Sequence, residues 1–103
     1  MKIDENELEE LKNKTLSLNS DNFDNDEYNE LDIQGKLNYL WDLIQDYYSE
    51  EEVLYHNREH NSPHLNLIVQ RTIHLGKFIL TRDYSISSRG YNENPFNTQI
   101  YKI

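Results

Sequence analysis

Leu65 to Leu80, "LNLIVQRTIHLGKFIL", must supply much of any core this chain forms, so its periodicity constrains the fold more than any other feature. Placed at 100° per residue, Leu65, Ile68, Val69, Thr72, Ile73, Leu75, Gly76, Ile79 and Leu80 share one face. Asn66, Gln70, Arg71, His74, Lys77, Thr81 and Arg82 share the other. Leu67 and Phe78, 11 residues apart and so close to three helical turns, form a second small apolar stripe. Ser62-Pro63 just upstream offers an N-cap followed by proline at the first helical position, where its missing N–H costs nothing. The competing arrangement is a β-hairpin turning near Gly76, because the segment is rich in β-branched residues. Separation of the faces favours the helix, and residues 63–82 are expected to form one.

Three further helices are expected upstream. Asp4-Glu5-Asn6-Glu7 has capping-box spacing, with Ile3 and Leu8 at the positions of a hydrophobic staple, and predicts a helix from about Glu5 to Leu16. Its apolar stripe, Leu8, Leu11, Thr15 and Leu18, is narrow, so it must lean on another element. From Ile33 to Tyr48, Ile33, Leu37, Leu40, Trp41, Leu43, Ile44, Tyr47 and Tyr48 fall on one arc opposite Gln34, Asn38, Asp42, Gln45 and Asp46, with Asn29 as the candidate N-cap. Ser49-Glu50-Glu51-Glu52 repeats the capping logic and is expected to start a short helix bearing Val53 and Leu54. Residues 17–29, rich in Ser, Asp and Asn, are expected to be a flexible acidic connection. "DYSIS" and "TQIYKI" alternate like strands around turn formers, so residues 83–103 are expected to be a loop-rich segment holding a β-hairpin. The expected fold is mainly α within the α+β class, one domain over residues 1–103: three or four helices in a small bundle, then a short C-terminal β-hairpin.

Charge is distributed unevenly. Residues 1–60 carry 17 Asp and Glu against five Lys and Arg, whereas residues 61–103 carry two against five, for a net charge of −9. A first half of this sign is repelled by nucleic acid and anionic membranes and attracted to basic protein surfaces. The chain has no Cys, which excludes disulfides and thiolate metal sites. Its first ten residues are acidic where a signal peptide would be basic and then apolar, and no run approaches the ~18 apolar residues of a membrane span, so a cytoplasmic protein is expected. Thirteen Asn and no Ala are a bias that an AT-rich genome produces through its codons, as in a low-GC bacterium, its phages or its plasmids.

The candidate chemistry lies in "LYHNREHNSPH". "HNREH" has the form H-x-x-E-H and resembles the inverzincin metalloprotease motif, which implies His56 and His60 as ligands and Glu59 as base. That family takes a third ligand, a glutamate, from far downstream, and only Asp83 and Glu93 follow here as carboxylates. "YHNREH" also resembles the YHNxxH stretch of cyclic-nucleotide phosphodiesterases and other HD-domain phosphohydrolases, which need a downstream His-Asp dipeptide that this chain lacks. His56, His60 and His64 are therefore expected to be solvated or hydrogen-bonding groups in a connection, and they are the metal candidates worth naming. The glycines at 35, 76 and 90 are isolated, so no phosphate-cradling loop can be drawn, and the paired carboxylates lie in polar contexts that would not separate their pKa values. No cofactor and no enzymatic activity are expected.

What remains is binding. Rows of carboxylates interleaved with tyrosine can compete for the Lys and Arg of a groove built for phosphates. The expectation is a small acidic inhibitor, encoded by a phage or mobile element and resembling anti-CRISPR and antirestriction proteins in kind. It would occupy a basic nucleic-acid-binding protein, such as a nuclease or CRISPR effector, in the host cytoplasm. Tyr39 is the first choice for an anchor, with Asp42, Asp46, Glu50, Glu51 and Glu52 as pairing charges. An immunity protein against a nuclease toxin would read similarly, and a homodimer is compatible with the sequence. The contrasting alternative is a winged-helix DNA-binding regulator using Arg71, Lys77, Arg82, Arg89 and Lys102, against which the acidic first half weighs.

Overall fold

Three helices pack on one face of a five-stranded antiparallel sheet, an α+β fold, in a computed structural model that describes residues 3–58, 65–87 and 92–103. Helix α1 (Glu5–Leu18) begins as its sequence dictates: Asp4 accepts from the Glu7 backbone N–H at 2.7 Å, and the Glu7 side chain reaches back to the Asp4 N–H. Ile3 and Leu8 are both buried. Lys102 donates to Glu7 at 2.7 Å, and that bond, with the Asp4 N–H, holds the Glu7 carboxyl below its ordinary range.

The stretch expected to be a flexible connection holds helix α2 (Asn25–Glu30), capped by Asp24, which accepts from the N–H groups of Asp26 and Glu27. Tyr28 supplies what the acidic composition concealed, a single side chain buried at 3 % exposure that ties the segment down. Helix α3 (Ile33–Ile44) starts at Asp32, whose carboxylate accepts from the Gly35 N–H at 2.7 Å, and not at Asn29. Leu37, Leu40, Trp41 and Ile44 are buried as the arc requires, but Ile33, Tyr47 and Tyr48 are exposed, the last two at and beyond a turn of 3-10 helix (Gln45–Tyr47).

From here the expected helices give way to strands. Residues expected to start a short helix at Ser49 form β1 (Glu50–Arg58), and the expected helix at 63–82 is a hairpin of β2 (Leu65–Leu75) and β3 (Phe78–Ser87). The two-residue loop Gly76-Lys77, with Gly76 at φ +58°, joins Leu75 to Phe78 in the manner of a type II′ hairpin turn. The physical reason is a period of two that competes with the helical one. Leu67, Val69, Arg71, Ile73 and Leu75 alternate with Asn66, Ile68, Gln70, Thr72 and His74, and the pattern resumes at Phe78, Leu80, Arg82 and Tyr84. Val69, Thr72, Ile73 and Leu80 are buried as expected, while Ile68 and Ile79, which share the other face with Thr72, are half-buried.

The sheet order is β1-β2-β3-β4, with β4 (Asn92–Pro95) and β5 (Gln99–Lys102) sharing the outer edge of β3. The "DYSIS" and "TQIYKI" segments do not pair with each other: the first belongs to β3 and meets β4, and the second meets the start of β3. Strands dominate the sheet-forming half, and a mainly α bundle with a terminal hairpin is overturned. The order of helices that a winged-helix arrangement requires goes with it, since Arg71 and Arg82 stand on strands and Lys77 in a turn.

Helix α1 lies against β2 and α3 against β3 on the face bearing Ile73, Leu80 and Tyr84, and α2 packs on α3. The Trp41 indole N–H donates to the Tyr84 hydroxyl at 2.6 Å, and Asp42 pairs with Arg82 at 2.7 Å. Lys77 pairs with Glu10 at 2.9 Å, fastening the hairpin turn to α1 and raising the Lys77 pKa above its ordinary value. The core joins Leu8, Leu11, Leu37, Leu40, Trp41 and Ile44 to Val69, Ile73, Leu75, Phe78, Leu80 and Ile100. Among the described residues no helix is long and apolar enough to cross a membrane.

Candidate protein-binding surface

Local sequence places the expected anchor, Tyr39, half-buried on α3 against the α1–α2 connection. Its ring lies edge-on to Phe23 and Tyr28, with centroids 5.8 and 5.9 Å away. Its hydroxyl accepts from the Asp24 N–H at 2.8 Å and donates to the Asn22 carbonyl at 3.4 Å. Tyr39 thus fastens α2 to α3, a packing role in place of the free anchor expected from the sequence. One turn later, Asp42 accepts from Arg82, whose guanidinium is almost fully enclosed and also donates to the Phe96 carbonyl at 2.7 Å. Tyr39 and Asp42 line a cleft of about 400 Å³ together with Asn19, Asp21, Asn22, Glu27 and Leu43.

Glu50, Glu51 and Glu52 lie elsewhere, on β1 at the opposite side of the sheet. Glu51 faces the helix side and accepts from Arg71 at 2.7 Å, while Glu93 of β4 takes the same guanidinium at 3.0 Å. The Arg71 guanidinium carbon sits 5.1 Å from the Tyr48 ring and 4.7 Å from the Tyr84 ring. Burial works against its charge, but the hydrogen bonds it donates to Glu93 and Glu51 prevail and push its pKa up. Glu50 lies 3.3 Å from His74 on the open face. Asp46, on the 3-10 turn, is exposed between the two groups. The expected set is therefore divided into a helical part and an edge-strand part.

The electrostatic asymmetry is sharper than composition suggests, because five of the seven Lys and Arg whose side chains are described are held in ion pairs, Lys14 and Lys36 being the exceptions. Lys12 pairs with Glu9, Lys77 with Glu10, Lys102 with Glu7, Arg71 with two glutamates and Arg82 with Asp42. Lys36 lies 5.4 Å from the Tyr28 ring centroid. Asp21, Asp26, Glu27, Glu30, Asp46 and Glu52 have exposed side chains and no salt-bridge partner among the described residues. What the surface offers a partner is negative.

His56 stands exposed on β1, not on a helix, and His60 and His64 lie outside the described residues. Among the described residues no group of three or more His, Asp or Glu is placed to hold a metal ion. Residues passed over as a site are Val53, Leu54 and Tyr55, which with Tyr47 and Tyr48 are exposed large hydrophobics within nine consecutive positions. The signal that could have found them is "YYSEEEVLY" itself, where aromatic and aliphatic residues flank a run of glutamates, a pattern that a small buried helix does not need. Comparison with family models, with curated proteins and with solved structures returns no match, so the functional reading rests on this chain's own residues.

Proposed function

We propose that the protein acts by binding, presenting its acidic surface to a basic nucleic-acid-binding site on another protein and so blocking it. The observation that carries this reading is the contrast between committed cations and uncommitted carboxylates. Asp21, Asp26, Glu27 and Glu30 sit on and before α2, and Asp46 follows α3. A groove rich in Lys and Arg gains free energy by exchanging its phosphate or counterion partners for such a row. Direct DNA binding is disfavoured by the same contrast, since Arg71, Lys77, Arg82 and Lys102 already hold glutamate or aspartate. A nuclease or CRISPR effector in the cytoplasm of a low-GC bacterium is the class of target whose groove has this chemistry, as for anti-CRISPR and antirestriction inhibitors.

The test is competition. The immobilised protein should retain a nucleic-acid-binding protein from a low-GC bacterial lysate and release it when duplex DNA or salt is added. The variant Glu30→Lys with Asp46→Lys should retain less of it while melting within a few degrees of the parent. These positions are preferable to Asp42, whose reversal would also strand Arg82. Salt-sensitive binding of duplex DNA by the protein itself would overturn the proposal.

A further inference from the structure

We propose that the free edge of β1 seats the partner, which contributes an extended basic segment that adds to the sheet beside Glu50–Arg58. This rests on the binding role proposed above and names the element and the partner's conformation. Among the described residues β1 pairs with β2 alone, so one row of its N–H and C=O groups is unclaimed by the sheet. Such a row is a template for another strand, and soluble proteins ordinarily blunt it. This edge is blunted only in part, by Glu50 to Glu52 and by a shift of register, and it still carries Val53, Leu54 and Tyr55 at 54, 47 and 53 % exposure. The register shifts between Val53 and Tyr55, so Val53, opposite Val69, faces the helix side, and Tyr55, opposite Ile68, faces the open side. An added strand would meet an apolar group on each face.

Charge selects the occupant. Glu50 and Glu52 lie opposite Thr72 and Gln70 and so share the open face two residues apart, while Glu51 is held on the other face by Arg71. A strand with Lys or Arg at alternate positions places its cations along Glu50 and Glu52 on that face. A second copy of this chain is the poorer occupant, because two chains of net charge −9 repel each other whereas a basic segment is attracted.

The probe is a soluble hexapeptide alternating arginine with valine and threonine, titrated at low salt into isotopically labelled full-length protein. Shift changes and slowed amide exchange confined to residues 50–58 and their β2 neighbours are expected. A peptide of identical charge with alternate amides N-methylated, which cannot complete the pairing, should bind at least tenfold more weakly, and Leu54→Lys should weaken the parent peptide similarly. Equal binding of the N-methylated peptide, or no perturbation at millimolar peptide, overturns the proposal. Perturbation at Glu27, Glu30 and Asp46 with β1 unmoved sinks the edge-strand inference and leaves the acidic-surface reading standing. A concentration-dependent dimer that Leu54→Lys dissolves would replace the basic partner with a second copy and overturn the proposal as well.

Discussion

The two ends of the β2–β3 hairpin are built from similar residues and treated differently. At the turn end, Ile73, Leu75, Phe78 and Leu80 are buried beneath the helices, and the loop itself is held by Lys77 on Glu10. At the far end, Leu67 and Ile86 are only partly buried, and neighbouring β1 leaves Val53, Leu54 and Tyr55 half in water. Length explains the difference. An eleven-residue strand spans roughly 36 Å, whereas helices of 14 and 12 residues reach only about 21 and 18 Å. The helical layer runs out before the sheet does, and the molecule is correspondingly elongated at 51 × 29 × 22 Å. Arg71, held between Tyr48 and Tyr84 and bridging Glu51 to Glu93, closes the boundary. Val69 and Tyr84, the next pair beyond Arg71, are still buried; the half-exposed apolar residues past them and on β1 add little to folding, which leaves contact with something else as their use.

The largest expected effect lies under the helices. Trp41 is fully buried and donates to Tyr84, so Trp41→Ala should cost about 3–5 kcal/mol, and Leu80→Ala about 2–5 kcal/mol. Urea denaturation monitored by circular dichroism measures both. A cost below about 1 kcal/mol for either would mean that the layer over the turn end is not packed as described.

How far this division was legible in the sequence depends on which period is read. The α1 cap was visible because Asp4 and Glu7 act locally, and the α3 stripe because four of its residues repeat at helical spacing. The hairpin was hidden because Leu65, Ile68, Val69, Thr72 and Ile73 satisfy a helical face while Leu67, Val69, Ile73 and Leu75 satisfy a strand face. Arg71 standing on the apolar face and Ile68 on the polar one blurred the alternation, and both exceptions have tertiary causes. Arg71 is there to bridge β1 and β4, and Ile68 packs beside Tyr55 on the open side. Gly76-Lys77 was the decisive local signal, since a glycine of positive φ has a purpose in a two-residue hairpin loop and none inside a helix. In the candidate surface, the carboxylates could be named from charge alone. That Tyr39 is a fastener and Asp42 a partner of Arg82 required long-range contacts of 15 and 40 residues' separation, which no local pattern encodes.

Tyr28 sharpens the comparison from the helical side. It is buried, its hydroxyl has no hydrogen-bond partner among the described residues, and burial pushes its pKa up to about 12 from an ordinary 10. The unfolded chain therefore loses this proton first as pH rises, so the contribution to stability is constant below pH 10 and falls between about 10 and 12. The loss should approach 2–3 kcal/mol. Tyr28→Phe should remove that alkaline loss and be nearly neutral at pH 7, since it deletes a buried group that pairs with nothing. Denaturation midpoints of the two proteins across pH 8–12 measure it; parallel curves would show that the phenol is solvated.

Gly76→Ala comes next. At φ +58° an added Cβ meets the backbone strain of the left-handed region and approaches the Lys14 ammonium at 3.0 Å, though that flexible chain can move. The strain alone should cost about 1–2 kcal/mol. Gly76→Asn, which tolerates this conformation better, should recover part of it. Equal losses from both would locate the cost in the Lys14 contact and not in the turn.

The smallest expected effect is at the far end. Leu54→Ala removes a large side chain from the middle of β1, but that side chain is 47 % exposed and lies where the strand register slips, so few neighbours lose contact when it goes. The change in stability should stay within about 0.5 kcal/mol, as for a surface position, although the same substitution at Leu80 costs several times more. Placing the two variants side by side in one urea series removes differences in solvent and reference state. Far-end residues that mattered to folding would make the two losses converge. If Leu54 is kept for contact instead, stability stays near the parent value while affinity for the basic peptide falls, and it is this separation of the two readouts that assigns the apolar edge to binding.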